Sequence, residues 1–442
     1  MQKGFNGILL VPFFVLSLTL NAQVNSVSPY SKFGLGDLYA ETYARTQGFG
    51  GASLGLIDPL NINFSNPASY SSLELSTFEL GFQVGQVEQK QLNPDITQIN
   101  GNAGLRYMAF GVPLTEWWGS AIGLQPYSFK GYDISSTRTL NDTINVTDRF
   151  AGTGGLNQFY WGNSFKVAKG LSLGFNTRFI FGKMEEVNYV LWNTSRFYNT
   201  KIEEEVQVKG LYLDYGLQYE YEFKNQTSLG VGLTYSNSMS LNAEVGNFAY
   251  NFIGVPGRET PFDSLLTSGS QNSSIRMPSE FGIGLTYGKM DSRILKQSWA
   301  IMADFEMYNA SKFENYDGSS FLSDAYKLQM GGYLVPRFAF ENLGRSTSYL
   351  SAVEYRVGGF FEKTPYTINN TDILNYGITF GLGLPIRQKG LGPGEVKVST
   401  LNTGVVLGRR GTTENGLIQE SYLNVYLGIT LNDKWFIKYK YR

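Results

Sequence analysis

Between Leu211 and Phe223 the chain reads LYLDYGLQYEYEF and alternates almost without fault. Leu211, Leu213, Tyr215, Leu217, Tyr219, Tyr221 and Phe223 fall on one side. Tyr212, Asp214, Gly216, Gln218, Glu220 and Glu222 fall on the other. Successive side chains of a β-strand point to opposite faces, so period-two alternation predicts a strand with one wholly apolar face. Such a face must lie against a protein core or against lipid.

The same pattern returns along the rest of the chain. Strands are predicted at 74–85, 104–114, 120–129, 156–167 and 171–182 before the opening stretch, and at 227–241 directly after it. The second half adds 279–288, 298–308, 326–336, 348–361, 375–386, 397–408 and 422–431, which makes fourteen. Connector lengths decide between core and lipid. The links at 115–119, 168–170 and 224–226 are short, whereas 130–155, 191–203 and 243–274 are long and polar. Short turns at one end and long loops at the other are the layout of an outer-membrane barrel. The expected fold is therefore all-β, a 14-stranded antiparallel transmembrane β-barrel over residues 74–432. The apolar face of 211–223 then meets lipid. Residues 433–442, with the basic stretch Lys438–Arg442, are left as a tail or as an extension of the last strand.

Composition agrees. Aromatics are 15% of the chain and charged residues only 17%, below the roughly 25% usual for soluble domains. No internal run is apolar enough for a membrane helix. At the N-terminus, Lys3 precedes the apolar stretch Ile8–Leu20 and the small Ala22, which reads as a signal peptide over 1–22, cleaved near Ala22, and hence as export to the cell outer membrane. A net charge of −1 carries no field for nucleic acid. The chain has no Cys and no His, so thiol chemistry and the commonest general base and metal ligand are absent. No catalytic constellation, metal site or cofactor is expected. The Gly-rich TQGFGGASLG (46–55) lacks the Lys–Ser/Thr ending of a phosphate loop. The acidic run Glu203–Glu205 reads as a solvated loop edge at the outer rim.

Charged residues within strands should point inward, because Arg or Lys on the lipid face near the midplane costs about 2–4 kcal/mol. Asp214, Glu220, Glu222, Arg106, Arg178 and Arg356 are thus candidate lumen charges, serving either a ligand or a structural network. Pro126 interrupts the third strand. Proline cannot donate to a ladder, so it marks a kink or gap in the wall, or a strand end beyond the membrane.

Residues 23–73 do not alternate. They contain Tyr43–Ala52 (YARTQGFGGA), Asp58–Pro59 and Asn63–Ala68 (NFSNPA). With Asn66, Pro67 and Ala68 just ahead of the first strand, this segment resembles the N-terminus of the long-chain fatty-acid transporter (FadL) family. The start SPYSKFGLGDL is similar to that family's branch in Bacteroidetes-type bacteria. The resemblance implies that 23–73 forms a hatch in the lumen and that hydrophobic ligands, fatty-acid-like, leave sideways into outer-membrane lipid through a kink in the third strand. Pro126 holds that position here. The resemblance also implies an alternative, because related barrels act as non-transporting accessory subunits of larger outer-membrane secretion or assembly complexes, type IX secretion among them.

Overall fold

The computed structural model describes residues 28–39, 42–92, 94–141, 143–289, 298–336, 349–389 and 396–434. The predicted signal peptide over 1–22 and the basic stretch 438–442 lie outside the described residues.

Fourteen antiparallel strands close into one ring. They are β2 (Ser76–Gln91), β3 (Ile96–Pro113), β4 (Trp118–Phe129), β6 (Ile144–Ala168), β7 (Leu171–Trp192), β8 (Asn199–Glu222) and β9 (Ser228–Ser236), then β12 (Glu280–Lys289), β13 (Ser298–Tyr308), β14 (Ala325–Val335), β15 (Glu354–Ile368), β16 (Thr371–Lys389), β17 (Val396–Arg410) and β18 (Ile418–Asp433). Each pairs with the next, and β18 pairs with β2 from Asp433↔Ser76 to Ile418↔Gln91, which shuts the ring. Closure pairs the first ring strand with the last, so the sheet has no terminal edges in the membrane, which is why it can stand in lipid. In β8 the predicted faces separate as expected. Leu211, Tyr215, Tyr219 and Tyr221 are exposed, while Tyr212, Asp214 and Gln218 are buried.

The long connectors differ from expectation. Residues 130–155 are mostly strand, formed by β5 (Tyr132–Asn141) and the upper part of β6. Residues 243–274 lie within a hairpin of β10 (Ser240–Val255) and β11 (Arg258–Arg276) that pairs with the upper part of β8 from Asn242↔Lys209 onward. The predicted strand 227–241 is broken accordingly. β9 pairs with the lower part of β8 and ends at Ser236, and β10 starts again at Ser240 higher up. Above the lipid both faces of a sheet meet water, so apolar alternation fades and the sequence reads as loop. β6, β7 and β8, of 25, 22 and 24 residues, thus form a tall wall beside β9 and β12, of nine and ten.

The described residues of 28–73 contain only short elements: 3₁₀ turns at Pro29–Lys32 and Pro67–Ser72, β1 (Asp37–Leu38) and the single helical turn α1 (Ala44–Gln47). They lie inside the ring, touching inner faces on every side. Tyr43 stacks on Tyr107 of β3 at 3.9 Å and shares a 2.8 Å hydroxyl contact with Tyr160 of β6. The Tyr70 hydroxyl donates to Asn176 of β7 at 3.0 Å, and the Thr379 hydroxyl on β16 donates to the Gly48 carbonyl at 3.2 Å. Phe49, Ala52, Ala68 and Tyr70 are fully buried.

Candidate functional site: a seam in the wall beside a filled lumen

Buried charge holds the segment to the wall. Arg45 pairs with Asp58 of the same segment and, at 3.2 Å, with Glu354 at the start of β15. Burial works against its charge, but Asp58 and Glu354 outweigh it and hold the guanidinium ionised well beyond the ordinary arginine range. Glu354 also receives Arg356 at 2.8 Å, and Arg356 donates to Asn402 at 2.7 Å. Two strands from Glu354, on β13, Asp304 accepts the Ser53 and Leu54 N–H groups at 2.5 and 2.8 Å, and on β2 Glu79 accepts that of Ile62 at 2.8 Å. Asn66 caps the 3₁₀ turn by accepting the Ala68 N–H at 3.0 Å, while its amide donates to the carbonyls of Leu54 and, on β8, Leu217. Pro67 starts that turn, and the Ala68 carbonyl accepts Ser164 of β6 at 2.6 Å.

The other predicted charges separate into two groups. Arg178 is buried, 2.7 Å from Asp214 and 3.3 Å from Gln158, with its guanidinium 4.6 Å from the Tyr212 ring. Glu222 instead sits exposed at the lower end of β8, and Glu220 is half-buried beside it. Neither joins the lumen network, because the strand leaves the lipid band before its alternation stops. Glu203 and Glu205 are strand residues paired with Lys201 and Lys183 at 2.7 and 2.6 Å.

Pro126 lies where the wall parts. The β3–β4 ladder runs only from Pro113↔Gly119 to Met108↔Leu124. Above that level β3 pairs with β2 alone, and the β4–β6 register shifts between Pro126 and Ser128. The freed edge of β4 is taken by β1, through Leu38↔Ser128 and Asp37↔Phe129, and the Tyr39 N–H donates to Tyr127 at 3.0 Å. A cavity of about 470 Å³ fills the seam, lined by Ala103 and Leu105 on one side and by Gln125 and Pro126 on the other. A second cavity of about 350 Å³ lies in the lumen above the buried segment. Tyr39, Gln83, Asn102, Arg106 and Phe129 line both, so the two adjoin. The seam's depth follows from β2, where the outward residues Phe82 and Val84 are exposed apolar groups and the next outward ones are Gln86 and Glu88. Val84 pairs with Ala103, which sets the seam at the upper part of the lipid-facing band.

Arg106 sits at the junction of the two cavities. Gly81 pairs with Tyr107 and Phe82 with Leu105, which makes Arg106 the extra residue of a β-bulge. Sequence reasoning singled out Arg106 and Pro126 but not the bulge, which leaves no local signature. It also passed over Arg45 and Asp58, whose signal was available: two opposite charges inside an otherwise nearly neutral, Gly-rich run. Among the described residues, no group of three or more His, Cys, Asp or Glu stands where it would hold a metal ion.

Comparison with known proteins places this architecture. The family model for BamG matches residues 3–442. No curated protein matches the sequence. Among solved structures, a Pseudomonas aeruginosa FadL homologue superposes with a TM-score of 0.51 at 12% identity, covering 91% of this chain and 100% of its own. The CymD monoaromatic hydrocarbon channel gives 0.51 at 11% identity, covering 91% of this chain and 99% of its own. The Ralstonia pickettii toluene transporter TbuX gives 0.51 at 13%, covering 89% and 99%. At such identities the likeness is one of fold: an outer-membrane-type barrel shared with FadL-type transport proteins.

Proposed function

The chain belongs to the BamG family, and from the open seam in its wall we propose that it passes small hydrophobic molecules between the outer side of its lumen and the bilayer. The observation that carries this reading is the adjoining pair of cavities, one facing the lumen and one cutting the wall at lipid depth. An apolar solute in the seam gains by moving into hydrocarbon, so release needs no conformational work. Residues 28–73 act as a hatch that bars the direct route, and Pro126 keeps the seam from zipping up. Barrels of like fold carry names describing hydrocarbon channels and a toluene transporter, and that chemistry fits the present reading better than an ionised fatty acid. Carboxylates outnumber cations six to three along the lumen cavity. No catalytic role is proposed. The finer kinship with the Bacteroidetes-type branch rests on SPYSKFGLGDL alone.

The test uses the absence of native cysteine. Gly104→Cys on β3 and Ser128→Cys on β4, joined by a short bis-maleimide, bridge the seam. Cells carrying the bridged barrel are expected to lose at least about nine-tenths of their uptake of a radiolabelled alkylbenzene, while the unbridged double variant retains it. Equal uptake by both would remove the sideways route.

A second reading, an accessory subunit of a larger outer-membrane secretion or assembly complex, is favoured by the tall wall. In the β10–β11 hairpin Ile253, Val255, Phe262, Leu265 and Leu266 are all more than half exposed, and the hairpin stands above the lipid band. Apolar groups clustered outside both core and membrane mark contact surfaces. Under this reading, gentle extraction from native membranes recovers a stoichiometric complex, and deleting residues 247–268 releases the partners. Recovery of the intact chain alone would end it.

A further inference from the structure

The seam and the lumen differ in charge. Among the residues lining the seam cavity the ionisable acids and bases are Arg106 and Lys183, with no carboxylate. The adjoining lumen cavity has twice as many carboxylates as cations. At the junction, Nη1 of Arg106 is buried and has no hydrogen-bond partner among the described residues, and the same holds for the side-chain oxygens of Asn102 and Asn424. Asn102 and Asn424 flank Gly85, where even a methyl group would collide with both. The Arg106 guanidinium lies over the Tyr39 ring, 3.8 Å from its centroid. Lys183 is already paired with Glu205, so Arg106 is the cation with donor capacity to spare.

The bilayer supplies the other half. At the seam the upper edge of β3 lacks a β4 partner although part of it stands at lipid depth. Backbone polar groups at that depth persist only against protein, water or a polar ligand. A buried guanidinium nitrogen left without an acceptor is likewise costly.

We infer that the seam is a head-group site for an anionic amphiphile entering sideways from the bilayer. The phosphate or carboxylate oxygens meet Arg106, turned amides of Asn102 and Asn424 donate beside it, and the tail stays in the bilayer along Leu105 and Pro126. The carboxylates of the lumen cavity repel the head and stop it from going deeper. The site rests on the seam being open to lipid, the same feature on which the passage of hydrophobic molecules rests. It differs in holding a charged head in place instead of letting a neutral molecule through.

The experiment is native mass spectrometry of the full barrel in neutral detergent. Phosphatidylglycerol, oleate and dioleoylglycerol are offered at equal concentration, with the heat-dependent gel shift as a check of folding. The expected result is retention of an anionic amphiphile and little dioleoylglycerol. Phosphatidylglycerol ahead of oleate identifies a membrane phospholipid as the source, and the reverse order identifies free fatty acid. Arg106→Gln should weaken anionic binding about tenfold or more, as loss of a charge-assisted hydrogen bond does, and Arg106→Lys should restore part of it. Should Arg106→Gln not fold, Asn102→Asp supplies the same test by placing a carboxylate beside an intact arginine, again with anionic binding lost. Dioleoylglycerol held as tightly as the anions, or binding indifferent to both substitutions, overturns the head-group site and leaves the sideways route standing. Retention of no amphiphile likewise overturns the head-group site, while the sideways route stands or falls on alkylbenzene uptake by the bridged barrel.

Discussion

Replacing Arg45 by methionine should destabilise the folded barrel by about 3–5 kcal/mol, the cost of breaking a buried ion pair from one side. Methionine keeps much of the volume, so the loss is electrostatic. Asp58 and Glu354 would remain in the interior with only Arg356 to share between them. The guanidinium also lies 5.2 Å from the Tyr333 ring and 5.8 Å from that of Phe49, contacts that methionine replaces only in part. The temperature at which the folded band converts to the unfolded one on a gel should fall clearly. Protease should also reach residues 42–73 before the strands are cut. An unmoved transition would mean that water already reaches the pair and that the segment is held by shape alone.

Gly284→Val on β12 should leave the ring intact and expel part of the segment. The wall there is in backbone contact with Leu54 and Gly55, and a Cβ at Gly284 would meet Oδ1 of Asp304 and stand 2.6 Å from the Leu54 Cβ and 2.9 Å from the Gly55 nitrogen. The Asp304 carboxylate can turn aside only by letting go of the Ser53 and Leu54 N–H groups, and the other two atoms are not free ends of flexible side chains. Overpacking of this kind costs about 1–3 kcal/mol, and here the strain is relieved by moving a loop-like segment more easily than a hydrogen-bonded strand. Steady ionic conductance in a planar bilayer should therefore appear in the variant and be absent from the parent. Gly269→Ala is the control, since its added Cβ meets nothing within 4 Å. Conductance in both proteins, or in neither, would show that the segment does not seal the lumen by close contact with this wall.

The ring was legible because lipid imposes a one-sided rule. Alternation survives wherever one face of a strand must be apolar, as from Leu211 to Phe223, and fourteen such stretches become fourteen ring strands. That rule lapses beyond the membrane on either side, so above it the β10–β11 hairpin read as polar loop, and below it Glu222 read as a lumen charge. Pro126 was readable because its missing N–H has a local consequence. The pairing of Arg45 with Glu354 spans 309 residues, and the cradle of Arg106, Asn102 and Asn424 is assembled from β3 and β18. Neither has a short-range trace. The close fit of the segment is no more visible, since a glycine in a strand does not announce which backbone will press against it.

Among the described residues, the earliest are bonded to the last two strands. Tyr30 donates its hydroxyl to the Ile418 carbonyl, 388 residues away, and Arg410 reaches back to Ser28 and Asp37. The ring itself closes only when β18 meets β2. A segment that touches strands on every side cannot be slipped into a finished cylinder through an end without first breaking those contacts, so the cylinder must be drawn shut around it. Synthesis delivers Phe49 and Tyr70 long before the strands that cover them, and the closure entropy of so long a loop must be met before its contacts reward it. The order of assembly thus inverts the order of synthesis, and the last pairing formed seals in residues made long before it.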